Sequence, residues 1–204
     1  MTDIPSHSIF PNDPPNPWQT KSSEVLHDNP WLRLDAHAVI GPDGKDYTYY
    51  VTHFHNRACG VVPYEVRDGV PGVWLVGQTR YALDSYSWEL PEGGVPRGED
   101  IADAARRELK EEAGIEAETL TWLFDLHTSN SLTDEWGQVF LATGLTHGEA
   151  DLEGTEDITA LFVPLADALR AIAEGRITDA ITVAGLYRTE LMRLSGELDK
   201  GRLG

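Results

Sequence analysis

Between residues 31 and 40 the chain alternates. Leu32, Leu34, Ala36, Ala38 and Ile40 fall on one side and Trp31, Arg33, Asp35 and His37 on the other, the period of a half-buried strand. Gly41-Pro42-Asp43-Gly44 supplies turn chemistry, and residues 47–54 are rich in aromatic and β-branched side chains, so the two runs read as a hairpin. Further strands are predicted over 59–66 and 73–76, and a short one over 87–90 that Pro91 stops. Residues 93–98 read as a glycine-rich loop leading into a helix over about 100–113, with Gly114 as its terminator. Strands are expected again near 120–126, 139–142 and 159–163, then helices over 165–174 and 179–194. Strand clusters interrupted by one helix and closed by two more point to an α+β or sandwich-type domain.

The first seventeen residues hold five of the twelve prolines, so residues 1–20 read as an extended arm without ladder donors. Residues 21–54 form an N-terminal hairpin unit and residues 55–200 the main domain. Aspartate and glutamate total 34 against 16 lysine and arginine, a formal charge of −18. That charge repels a phosphate backbone, and no basic patch offsets it, so no nucleic-acid partner is expected. No apolar run approaches the ~18 residues of a membrane span, so no membrane partner is expected either. The single cysteine, Cys59, cannot form an internal bridge and reads as buried and inert. A cytoplasmic location follows as the expectation. The acid surplus is either a solvated surface or a cluster of oxygen ligands for a hard cation.

The central helix favours the second reading. At 100° per residue, Ile101, Ala105 and Leu109, flanked by Ala102 and Ala113, make one apolar stripe. Glu108, Glu111 and Glu112 crowd one edge of that stripe, while Asp103, Arg106 and Lys110 face the other way. Like charges four residues apart repel, and more so where water screens less; a divalent cation reverses the sign.

The wider spacing makes the pattern specific. Gly93, five residues, Glu99, seven residues, then Arg107-Glu108-Leu109-Lys110-Glu111-Glu112-Ala113-Gly114-Ile115 matches the Nudix box at all seven fixed positions. The chain resembles the Nudix hydrolase family over most of residues 24–194. The resemblance implies an α/β/α sandwich with a mixed β-sheet, a loop–helix–loop at the box and two C-terminal helices. It also implies Mg2+ (or Mn2+) held against a diphosphate by Glu108 and Glu112, with Glu111 assisting or positioning water and the main-chain carbonyl of Glu92 as a further ligand. Arg107 would orient the glutamates through Glu99.

Val76-Gly77-Gln78-Thr79-Arg80-Tyr81 and Trp88-Glu89-Leu90-Pro91 resemble the ADP-ribose pyrophosphatase branch. That likeness implies a nucleoside diphosphate sugar as substrate, with Arg80 on its phosphates and Glu89 and Glu135 as further substrate-side residues. A guanidinium fork suits phosphate oxygens. The branch's marker proline falls at position 130, which is Asn130 here, so another nucleoside diphosphate sugar, a dinucleotide or a triphosphate stays open beside ADP-ribose. A non-catalytic nucleotide-binding module is the alternative from a different class. Glu156 aligns best with the branch's general base or extra metal-binding glutamate and Glu153 second, with Glu135 a separate candidate. Relatives are commonly homodimers joined through N-terminal strands, so a homodimer through residues 21–54 is expected. His53 and His55 share a strand face, where ordinary edge-strand histidines are the plainer reading over a metal pair.

Overall fold

The computed structural model describes residues 14–152 and 157–198. It begins with a three-stranded antiparallel sheet of β1 (Gln19–Asp28), β2 (Leu32–Ile40) and β3 (Asp46–Phe54). The predicted turn joins the last two: the Gly41 amide donates to the Lys45 carbonyl and the Gly44 amide to Gly41, with Gly44 at φ +78°. β1 was not anticipated. All ten of its residues are exposed, so nothing in its polarity alternates; backbone bonds to β2, interrupted by two register shifts, hold it in place.

The main sheet contains β4 (Arg57–Arg67), β5 (Val70–Arg80), β6 (Ser85–Glu89), β7 (Glu92–Val95), β8 (Ile115–His127), β9 (Trp136–His147) and β10 (Thr159–Pro164). The strand order is β10-β5-β4-β9-β8, with β6 on β5 and β7 on β4. Only β4 and β9 run parallel, which makes the sheet mixed. The segment expected to be a glycine-rich loop therefore starts as a strand: Gly93 and Gly94 pair with Cys59 and Ala58.

Helix α1 (Ile101–Ala113) covers one face, and α2 (Leu165–Ala173) with α3 (Ala180–Leu194) the other. Strands between two helical layers are buried on both sides and lose their polar alternation. In β4, Cys59 and Val61 pack with Ala105 and Leu109 under α1, whereas Val62 packs with Ile181 and Leu186 of α3. Neighbouring Val139 and Phe140 of β9 divide in the same way. The result is the three-layer α/β/α sandwich. Among the described residues no helix is long and apolar enough to cross a membrane.

Both ends of α1 are fixed by local chemistry. The Asp100 carboxylate accepts from the amides of Ala102 and Asp103, and Gly114 closes the helix at φ +65°. A methyl group on Gly114 would stand 2.7 Å from the Gly148 carbonyl oxygen and 2.8 Å from the Ala150 nitrogen. Gly114→Ala is expected to cost about 1–3 kcal/mol, from the left-handed conformation and the backbone clash together. A denaturant midpoint that falls at unchanged slope is the measurement that checks it.

Candidate active site

Strand β7 runs directly into the loop that caps α1, so the backbone of 92–95 lies across the inner face of the helix. Gly93 makes this approach possible: a Cβ there would overlap the carboxyl group of Glu108. The Glu92 amide donates to Glu112 Oε2 at 3.0 Å, which ties the strand to the helix one turn further on. The inward face of α1 is not centred where the apolar pattern placed it. Ala104 is fully buried, Glu108 and Glu112 are 9% and 4% exposed, and Ala102 and Ala113 are only partly covered. The two glutamates sit in the middle of the buried face rather than at its edge.

Arg107 gathers three carboxylates. Its Nη1 donates to Glu108 Oε1 (2.8 Å) and to Glu111 Oε2 (2.9 Å), and its Nε reaches Glu99 Oε1 at 3.3 Å. The bond to Glu99, with help from Glu108 and Glu111, raises the Arg107 pKa and secures its charge. Arg80 gathers two more. It donates through Nε and Nη2 to Glu89, which is 3% exposed, and through Nη2 to Glu92 Oε1 at 3.2 Å.

Arg80, Glu92, Glu99, Arg107 and the three box glutamates of α1 line a cavity of about 610 Å3 with Asn56, Gln78, Gly94 and Pro96. Its wall carries Glu92, Glu99, Glu108, Glu111 and Glu112 against Arg80 and Arg107. Burial raises the Glu92 pKa well above the ordinary carboxylate range, Asp179 and Glu89 push it further, and Arg80 only partly opposes them. Glu92 Oε2 is a buried oxygen without a hydrogen-bond partner. An excess of acid, all oxygen donors and an orphaned carboxylate oxygen together fit a hard divalent cation. Cys59 lies beneath this wall, where burial, and then the charge of Glu108, push its thiol up to about 12; it stays protonated and inert.

The structure brings Glu92, Glu99, Arg107, Glu108, Glu111, Glu112 and Arg80 to one cavity. Glu89 does not line it; it stands behind Arg80 as a buried partner, because the β5–β6 register sets both on the same sheet face. Glu135 does not line it either. Its carboxylate accepts from Thr128, and the preceding segment docks on β3 through the Thr52 amide to the Leu132 carbonyl, which carries it away from the wall. Glu153 and Glu156 lie outside the described residues. Asn56 and Gln78 were missed. Gln78 sits two residues before Arg80 on the same strand face, the period-2 signal that could have found it; a neutral Asn56 in a loop offers none.

Residues 54–183 match the NUDIX domain, and residues 18–52 match the nucleoside diphosphate sugar hydrolase N-terminal domain. The chain is 35% identical over 172 residues to an ADP-ribose pyrophosphatase of Mycobacterium tuberculosis, covering 83% of this chain and 81% of that protein. It is 36% identical over 175 residues to a methanol dehydrogenase activator of Bacillus methanolicus, covering 85% and 92%. An ADP compounds hydrolase of known structure superposes with a TM-score of 0.77 at 22% identity, over 88% of this chain and 96% of the other, which establishes the shared fold.

The raised Glu92 pKa has a definite sign. A carboxyl whose folded pKa lies above its unfolded value contributes stability below the unfolded pKa and loses it as pH rises through the folded one. Without divalent cations, Glu92→Gln is therefore expected to melt higher than the wild type at pH 7–8. The gap should be about 2–4 °C, the shift that ~1 kcal/mol produces in a domain of this size, and should close toward pH 4.5. Thermal melts in EDTA across that range check it.

Proposed function

The chain belongs to the Nudix family, and from that premise we propose that this Nudix hydrolase splits the diphosphate of a nucleoside diphosphate linked to a sugar. ADP-ribose is the first such substrate, giving AMP and ribose 5-phosphate. The observation that carries the reading is the convergence of Glu92, Glu108, Glu111 and Glu112 on one cavity with Arg80 and Arg107 in its wall. Two relatives add to it, an ADP-ribose pyrophosphatase and a hydrolase of a CMP-linked phosphonate from Streptomyces rubellomurinus, 28% identical over 169 residues.

Mg2+ (or Mn2+) would be held by Glu108 and Glu112, with Glu111 and the Glu92 carbonyl as further donors, and would supply charge neutralisation on the diphosphate and acidification of water. The chain's own work is placement. Arg107 binds Glu99, Glu108 and Glu111, so these acids keep their orientation while a highly charged substrate enters. The Glu92 amide fixes Glu112 in the same way. Arg80, held by Glu89 and Glu92, turns a preset guanidinium toward the phosphates, where its attraction grows as negative charge builds on the leaving phosphate. Glu111 orients the attacking water and Glu156 accepts its proton, a role assigned by the sequence resemblance. No protein nucleophile is needed, because positioning and electrostatics dominate this chemistry.

We also propose that the protein works as a cytoplasmic homodimer. Val25 and Leu26 on β1, Trp31 beside it and Tyr50 on β3 are large apolar side chains left at least 47% exposed on the N-terminal sheet, an area suited to a second copy. Sedimentation equilibrium is expected to return about twice the 22.6 kDa of one chain, and a purely monomeric mass would overturn the dimer.

Incubation with ADP-ribose and a panel of sugar nucleotides, dinucleotides and triphosphates, with and without Mg2+, tests the activity. Turnover of ADP-ribose that EDTA abolishes is expected, and no turnover of any panel member rejects the proposal. Glu112→Gln should lower kcat at least about 100-fold with circular dichroism unchanged, the scale on which loss of one preorganised charge-stabilising group is felt.

A further inference from the structure

Away from the carboxylate cavity, the N-terminal sheet gathers metal-ligating side chains on one face. Arg33, Asp35 and His37 alternate along β2 onto a common side. The register sets His53 opposite Arg33, which puts it diagonally across from Asp35 on that same side. One ligand atom from each of Asp35, His37 and His53 lies within 4.8 Å of the other two. Asp35 is 3% exposed, and with Val39 it is one of the two buried side chains among the strands of this sheet. Its Oδ2 stands 3.8 Å from Nε2 of His37 and 3.5 Å from Nε2 of His53. Both nitrogens are buried without a hydrogen-bond partner.

The far side of His53 sharpens the chemistry. Its Nδ1 lies 2.6 Å from Asp134 Oδ2. An ionised carboxylate only accepts, so Nδ1 donates to Asp134 and Nε2 is the ring nitrogen left on the side of Asp35. A cation bound between them would give both buried, unpartnered nitrogens a partner. A tetrahedral ion with bonds of about 2.0–2.2 Å sets its ligands about 3.3–3.6 Å apart, close to the spacing found here. Arg33 Nε, 3.0 Å from Oδ1, neutralises the other oxygen and leaves Oδ2 as the donor. The Asp134–His53 contact is the outer carboxylate that fixes a metal-binding imidazole. His37 also lines a cavity of about 260 Å3 with Trp18, Val39 and Tyr49.

We propose that Asp35, His37 and His53 bind one divalent transition-metal ion, Zn2+ by their ligand chemistry, with Asp134 as the positioning residue. Two imidazoles and one carboxylate select Zn2+ over Mg2+, so this site and the all-oxygen cavity take different ions. The ion cross-links β2 to β3. Through Asp134 it also holds the segment between β8 and β9, which the Tyr49 hydroxyl already grips at the Ser131 carbonyl.

The full chain, stripped with EDTA and returned to millimolar Mg2+ to occupy the glutamate cavity, is titrated with Zn2+ and with Co2+. One tightly held Zn2+ per chain and the visible band of a tetrahedral Co2+ complex are expected, in the wild type and in Glu112→Gln alike. Asp134→Asn should weaken Zn2+ binding about 10–100-fold, the usual effect of losing an outer partner, and His53→Gln should weaken it further. Failure of the wild type to retain Zn2+, or unchanged affinity in His53→Gln, overturns the proposal. Should His53→Gln fail to fold, imidazole NMR of the wild type decides: Zn2+ must shift the signals of His37 and His53, and shifts confined to other histidines overturn the site.

Discussion

Five carboxylates share the cavity wall with two guanidinium groups, and the molecule around them is arranged to make that crowding tolerable. Two like charges 4 Å apart cost about 1 kcal/mol in water and about 4 kcal/mol at the effective dielectric of a protein boundary. Glu108 and Glu112 face the interior of the sandwich, where the higher figure applies. Arg107 answers by binding three acids at once, and Arg80 by binding two. Neither arginine removes the surplus. The folded chain therefore holds a standing affinity for further positive charge, which a divalent cation supplies and a diphosphate alone does not.

The backbone makes this strain sustainable. A helix carrying buried glutamates would slide or fray if its ends were free. Asp100 caps one end of α1, Gly114 turns the other, and the Glu92 amide holds Glu112 from the adjoining strand. Gly93 is the narrowest point, because the Glu108 carboxyl occupies the space that any side chain there would fill. The box glycines and the box acids thus serve one geometry: the first glycine admits an acid, and the second ends the helix that carries it.

The candidate site was legible where its constraint is local. Helical periodicity and two glycines place Glu108, Glu111 and Glu112 on one side of a helix before any tertiary contact is known. What periodicity could not resolve was the centre of the buried face, since apolar pattern alone treats glutamate as an outward residue. Glu89 carried no sign that it would stand behind Arg80 rather than in the cavity wall, because strand pairing between β5 and β6 decides that. In the fold, strands buried on both faces were recognisable as apolar runs, whereas β1, polar and fully exposed, owes its existence to backbone pairing with β2. The histidines show the same limit. His53 and His55 were expected on one strand face, but β3 ends at Phe54 and His55 lies in the bend beyond it; Asp35 faces the first, and Asp28 lies 3.1 Å from the second.

The N-terminal sheet buries little of its own. Among its described residues Asp35 and Val39 are the buried side chains, so apolar burial within one chain does not fix how it sits on the main domain. Its attachment runs through polar contacts with the segment between β8 and β9: the bridge from Thr52 to Thr133, the Tyr49 hydroxyl to Ser131, and Asp134 to His53. Such contacts individually contribute about 0.5–1.5 kcal/mol, too little to hold a sheet by themselves. An outside contribution would reinforce a unit with this balance, and the two proposed ones act at different places. Exposed Val25, Leu26 and Tyr50 can be covered by a second copy, while a cation at Asp35, His37 and His53 would stiffen the joint from within. Each would act on the same joint between the sheet and the main domain.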